Sequence, residues 1–176
     1  GEHPFLGAQP PVEIPSDAVA VRCDIASGVV TSVDMELLEE MAEKHGVTVY
    51  LAIHPGKLVY PARPLLYLSG DEAETLDPQR FQDAILVEHD RSFDQDPRFG
   101  LVVLSEIASR ALSPAVNDPG TAISVLGSGL RCFEIFAEAS ADTEDPRYSR
   151  IHGPAIEIRD LFTDFFTKIA RDGAGM

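Results

Sequence analysis

The sequence predicts an α+β chain: a small N-terminal β-module, barrel-sandwich-like with one inserted helix, packed on a C-terminal helical part. Three observations lead there. Between Val19 and Leu68, β-branched, aromatic and leucine residues come in short, partly alternating runs cut by Gly and Pro turns, the pattern of brief strands. Beyond Pro97 apolar residues recur every three or four positions, the period of helices that bury one face. Asp-Pro pairs at Asp77, Asp96, Asp118 and Asp145 punctuate the chain. The aspartate of such a pair can accept from the free N–H groups of a first helical turn, and proline there has no N–H to be orphaned.

Residues 1–18 hold four prolines and two glycines without period and read as an extended arm or linker. Residues 19–70 form the β-module. Val19, Val21 and Cys23 alternate with Ala20, Arg22 and Asp24, and GVVTSVD (Gly28 to Asp34) continues in the same style. Met35, Leu38, Met41 and Ala42 then stand at helical spacing, with Asp34 as the N-cap and Gly46 as the C-terminal stop. Val47 to Ile53 is a strand, His54 to Lys57 a turn, Leu58 to Tyr60 a strand, Pro61 to Arg63 a turn and Pro64 to Leu68 a strand. So much punctuation implies a small curled sheet, half-barrel or sandwich. Lys57 sits at a turn but lacks the flanking residues of biotin or lipoyl carriers, so a structural β-module is the reading.

The polar, acidic stretch from Ser69 to Pro78 marks a linker, and residues 71–176 form the mainly helical part. A short helix follows Asp77, ILVEHDRS offers one more strand for the β-module, and helices are expected near 97–112, 119–139 and 157–171. Phe99, Val103, Ile107 and Ala111 with Leu101, Leu104, Ala108 and Leu112 give the first of these a wide apolar surface. Ser113-Pro114 ends it, because a residue before proline leaves the helical region. The second carries Ile123, Leu126, Leu130, Phe133 and Ala137 as its apolar stripe, flanked by the small residues Ser124, Gly127 and Ser128, where a second subunit could approach closely. A loop with Asp142, Glu144, Asp145, Arg147 and Arg150 leads to the last helix, marked by Ile158, Leu161, Phe162, Phe165 and Ile169.

Fourteen Lys and Arg against 29 Asp and Glu give a net charge of -15, which excludes nucleic acid and anionic lipid as partners of the surface as a whole. Nine of the carboxylates lie between Asp71 and Asp96 beside two arginines and read as a solvated face. Cys23 and Cys132 read as a reduced pair. No run approaches the roughly 20 apolar residues of a membrane helix. The chain opens at Gly1 rather than Met, which reads as a piece of something longer.

The candidate site residues crowd around the first long helix: Arg91, Asp94, Asp96, Arg110, Ser113, Asn117, Asp118 and Thr121. Folding alone gives them roles: Asp118 caps its helix, Ser113 and Asn117 satisfy the turn, and Arg110 pairs with Asp94 or Asp96. The rival is an anion site for phosphate, carboxylate or a lipid headgroup, with Arg110 beside the free N–H groups of a helix start; Asp118 already occupies that start and would repel an anion. A metal reading takes Asp94, Asp96 and Glu106 with His89, which would suit a metal-assisted hydrolase, but no ligand spacing is distinctive. There is no Gly-x-Ser-x-Gly elbow, no glycine-rich phosphate loop and no histidine beside either cysteine in sequence. No catalytic residue, metal or cofactor is therefore assigned.

At Arg91, Asp94 to Asp96, Phe99-Gly100, Arg110 to Pro114, Asn117 to Pro119 and Thr121-Ala122 the chain resembles the C-terminal region of bacterial predicted membrane proteins grouped as domain of unknown function 2254. SGVVTSVDMELLEEMAEKHGVTVYLAIHPGKLVYPARPLLYL and FTDFFTKIARDGAG are similar to its β-module and late helix. The resemblance implies several transmembrane segments ahead of this region and absent from this chain. Together with the lack of a catalytic constellation and the small-residue face at Ser124 to Ser128, it leads us to expect a soluble, non-enzymatic domain of an inner-membrane protein on the cytoplasmic side, serving assembly, sensing or gating, as a homo-oligomer. It brings no established activity or catalytic residue.

Overall fold

The structure, a computed structural model, describes residues 4–24, 27–141, 145–154 and 156–174. It is α+β and divides into two units, one of Gly1–Asp96 with Glu144–Ala155, the other of Pro97–Thr143 with Ile156–Met176. Asp142 and Glu144 of the expected loop lie outside the described residues.

In the first unit the strands divide between two sheets. One has the order β1 (Val19–Arg22), β5 (Pro64–Ser69), β3 (Thr48–Leu51), β7 (Ile151–His152); the other runs β4 (Leu58–Val59), β2 (Gly28–Val33), β6 (Ile85–Glu88). Val21 faces Leu66 across β1 and β5, while Val49 and Leu51 face Leu68 and Leu66 across β3 and β5, so one set of alternate positions supplies the buried face. In β2 the alternation breaks: Val30 and Thr31 are both buried, because the register with β6 shifts between Val30 and Ser32, and a bulge turns successive side chains inward.

Helix α1 (Met35–His45) buries Met35, Leu38 and Ala42 and is closed as its sequence demands. Asp34 accepts from Leu37 N–H at 3.0 Å, and Gly46 takes the left-handed conformation at φ 63, which glycine adopts without steric cost.

The chain stays in this unit well past Ser69. After α2 (Pro78–Gln82), capped by Asp77, β6 pairs with β2, so the change of unit falls at Asp96 and Pro97 rather than near residue 70. The unit also takes back a later segment that no sequence period marks. β7 lies parallel to β3 with Ile151 opposite Val49, and Glu39 of α1 accepts from Ser149 N–H at 2.7 Å and its hydroxyl at 2.9 Å. Two residues of strand are too short for a pattern; the long-range hydrogen bonds define them.

Among its described residues the second unit has three helices: α3 (Pro97–Ala111), α4 (Pro119–Ala141) and α5 (Ile158–Gly173). Their core is Leu101, Ala108, Val125, Phe133, Leu161, Phe165 and Ile169. A polar ladder aligns α3 and α5 in parallel: Arg98 donates to Asp164 at 2.6 and 3.2 Å, Lys168 to Glu106 at 2.8 Å, and the Ser109 hydroxyl to Asp172. α4 is turned by about one position from the expected stripe. Ala122, Val125, Gly129 and Phe133 face inward, whereas Ile123 and Leu130 are 68% and 59% exposed. Gly129 explains the rotation, since the Phe165 ring occupies the space a side chain there would need. On α3, Ile107 likewise stands 45% exposed, while Ser105 is fully buried.

Among the described residues the Ser105 hydroxyl has no hydrogen-bond partner. Leaving a buried hydroxyl unmet costs on the order of 1–3 kcal/mol. Ser105→Ala is therefore expected to raise unfolding stability by about 1 kcal/mol, measurable as a higher urea midpoint.

Candidate functional site

The eight candidate residues fall into two separate groups. Arg91, Asp94 and Asp96 belong to the first unit and the other five to the second.

The first group is a lock. Asp96 is 2% exposed, and one of its oxygens, Oδ2, accepts from Arg91 Nε at 2.7 Å and lies 2.6 Å from Arg91 Nη2. Beside this pair, Gln95 Oε1 accepts from Val33 N–H at 3.1 Å, which ties the loop to β2. Gly56, at φ +84, completes the arrangement, because any Cβ there would run into the Asp96 carboxylate and the Arg91 guanidinium. Asp94 stays at the surface and accepts from the Ser92 hydroxyl at 2.6 Å. The carboxylate that the metal reading needs is thus engaged by a guanidinium. Among the described residues no group of three or more His, Cys, Asp or Glu is placed to hold a metal ion. Asp96 has Arg91 as an ion-pair partner.

The second group closes the turn between α3 and α4. The Ser113 hydroxyl donates to Arg110 C=O at 2.7 Å, and Asn117 N–H to Ser113 C=O at 2.8 Å. Asn117 adopts φ 47, a left-handed conformation that asparagine tolerates better than most residues. Asp118 accepts from Thr121 N–H at 3.1 Å and from the Thr121 hydroxyl at 2.6 Å. These bonds, the hydroxyl first, hold the Asp118 carboxyl below its usual range, and the negative charge stands where an anion would have to bind at α4's start.

Arg110 and Ser113 do reach an open groove at the ends of α3 and α5, together with Glu106, Ser109, Lys168, Arg171 and Asp172. Sequence reasoning missed Ser109 and the last three, which belong to α5. Two of the groove's three cations are engaged: Lys168 with Glu106 at 2.8 Å and Arg171 with Asp172 at 2.6 Å. Arg110 and Arg171 stand in the last turns of their helices, where a cation offsets the unpaired carbonyls.

The Arg171 guanidinium, and after it the Ser109 hydroxyl, lower the Asp172 carboxyl from 3.8 to about 2. A depressed carboxyl contributes stability that is complete above its unfolded value and vanishes as pH falls through the folded one. The contribution of Asp172 should therefore be lost between pH 3.8 and about 2. Asp172→Asn is expected to flatten that part of the stability curve and leave the region above pH 5 without added slope, as acid titration followed by circular dichroism would record.

Taken together, the chain has a β-rich unit locked by a buried ion pair and a three-helix unit whose polar residues mostly serve caps and ladders. The chain belongs to the family described as predicted membrane protein (DUF2254), whose profile matches residues 7–176. It is 35% identical over 145 residues to the uncharacterized proteins Mb1321c of Mycobacterium bovis and Rv1290c of Mycobacterium tuberculosis. Each match covers 80% of this chain and 27% of the relative, so the chain spans about a quarter of the length of these curated relatives. No solved structure matches it.

Proposed function

We propose that this chain is an extramembrane module of a bacterial inner-membrane protein, placed on the cytoplasmic side, and that it serves the assembly of that protein as a homo-oligomer. The observation that carries the reading is the pairing of a predicted-membrane-protein family over residues 7–176 with helices of which none, among the described residues, is long and apolar enough to cross a membrane. Even α4, with 23 residues, carries Arg131, Glu134 and Glu138. The polar candidates support a structural role, since caps and ion pairs account for most of them. The test is the size of the detergent-solubilised full-length gene product, with and without this region. Loss of the oligomer on deletion supports the reading; an oligomer of unchanged size contradicts it.

A second reading, a small-anion site, has one observation in its favour: among the described residues Arg110 has no acidic partner within the groove it shares with Lys168 and Arg171. Thermal shift with inorganic phosphate decides it. Equal shifts for the wild type and Arg110→Ala exclude the site.

A further inference from the structure

Three of the exposed apolar side chains in the helical unit, Ile123, Leu130 and Phe162, flank the contact between α4 and α5. Phe133 of α4 lies 4.4 Å from Phe162 and 5.9 Å from Phe166 of α5, ring centre to ring centre, and Phe162 lies 5.3 Å from Phe166. Leu130 and Leu126 stand three and seven residues before Phe133, on its side of α4, and Ile123 three residues before Leu126. Leu126 and Phe166 are half-buried, but Ile123, Leu130 and Phe162 are exposed, the last by 47%. Single exposed apolar residues are ordinary; a contiguous strip along two helices marks an interface.

We infer that this seam binds a second copy of the same chain, two α4–α5 pairs meeting face to face as a four-helix bundle. The inference rests on the homo-oligomer reading above and names its surface. The small face at Ser124, Gly127 and Ser128 is a poorer candidate: the hydroxyls of Ser124 and Ser128 donate back to the helix, and Arg131 covers Ser128 at 2.9 Å.

Charge supports a copy as the occupant. The first unit holds 20 acidic and 8 basic residues, the second 9 and 6, so two copies meet through the helical unit with far less repulsion. The seam's borders are also self-complementary. Glu134 follows Leu130 by four residues and edges the α4 side, while Arg159 precedes Phe162 by three and Phe166 by seven and edges the α5 side. Both are exposed, and neither has an ionic partner among the described residues. The Phe133–Phe162 contact sets Glu134 and Arg159 within about one turn of the same level, roughly 5 Å. A two-fold axis parallel to the helices lays each α4 on the partner's α5, and Glu134 of one copy then faces Arg159 of the other, twice. From Ile123 to Phe133 the strip runs only about 15 Å along α4, so it falls short of the ~800 Å² per partner of a standard interface and the dimer is concentration-dependent.

Sedimentation equilibrium of this chain from micromolar to near-millimolar concentration tests it, with thermal melts confirming that each variant folds. Expected are a wild-type dimer, a monomer for Leu130→Glu, weakened dimers for Glu134→Arg and for Arg159→Glu, and recovery when those two are combined. A wild-type monomer throughout overturns the proposal. A dimer indifferent to Leu130→Glu overturns the seam while leaving the homo-oligomer reading standing. Leu130-dependent binding to phosphatidylglycerol vesicles by a monomeric wild type assigns the seam to lipid and overturns the second copy.

Discussion

Replacing Arg91 with alanine is expected to destabilise the β-rich unit by about 3–5 kcal/mol, the usual effect of removing one partner from a buried ion pair. The carboxylate left behind explains the size. Asp96 has a side chain only 1% exposed, against 27% for Arg91, so the arginine can be lost to solvent but the aspartate cannot. Without the guanidinium, Asp96 would lose two charge-assisted bonds at a site closed to water. Gly56→Ala should act in the same direction by steric means, since its methyl would displace the same carboxylate and its φ of +84 disfavours any side chain. Amide hydrogen exchange localises the loss: protection should fall first at Val33, whose N–H is bound to Gln95 in the same loop. If Arg91→Ala left both the urea midpoint and Val33 protection unchanged, the lock would have no energetic content.

Phe165→Ala is expected to cost about 3–5 kcal/mol in the helical unit, the range for truncating a fully buried phenylalanine. Phe165 is inaccessible to solvent, packs edge-on to Phe133 at 5.9 Å and Phe166 at 4.8 Å, and fills the space over Gly129. Among the described residues seven buried side chains form this core, and Phe165 is at its centre. Exchange should accelerate along α4 and α5. Phe162→Ala, at a half-exposed ring, should be much milder, and equal effects at the two positions would contradict the assignment of inside and outside on α5.

The sequence made the helix ends legible and the faces less so. Asp34, Asp77, Asp118 and Gly46 act within a turn of themselves, so local chemistry was enough to place them, and α3, α4 and α5 begin within a residue of expectation. The inward face of α4 was misjudged because an apolar stripe is indifferent to which neighbour it meets. Ile123 and Leu130 look like core by period, but the Phe165 ring selects Gly129, and the helix turns to suit. β7 and the late boundary at Asp96 depend on hydrogen bonds spanning about a hundred and about sixty residues respectively, which no window of sequence displays. The candidate site was legible as a set of unusual residues and illegible as a geometry. Arg91 and Asp96 are five residues apart and pair with each other, but their steric partner Gly56 and the groove's Lys168, Arg171 and Asp172 come from elsewhere in the chain.

As proposed, this region lies outside the bilayer as part of a membrane protein and faces the cytoplasm. Cys132 offers a reporter, because it is exposed on α4 while Cys23 is buried. In cells expressing the full-length gene product, with any other accessible cysteines replaced, Cys132 should react with a charged, membrane-impermeant maleimide in inverted vesicles and resist it in intact spheroplasts. The protein itself should stay in the pellet after alkaline carbonate. Extraction by carbonate, labelling in intact spheroplasts, or protection from both sides would contradict the account.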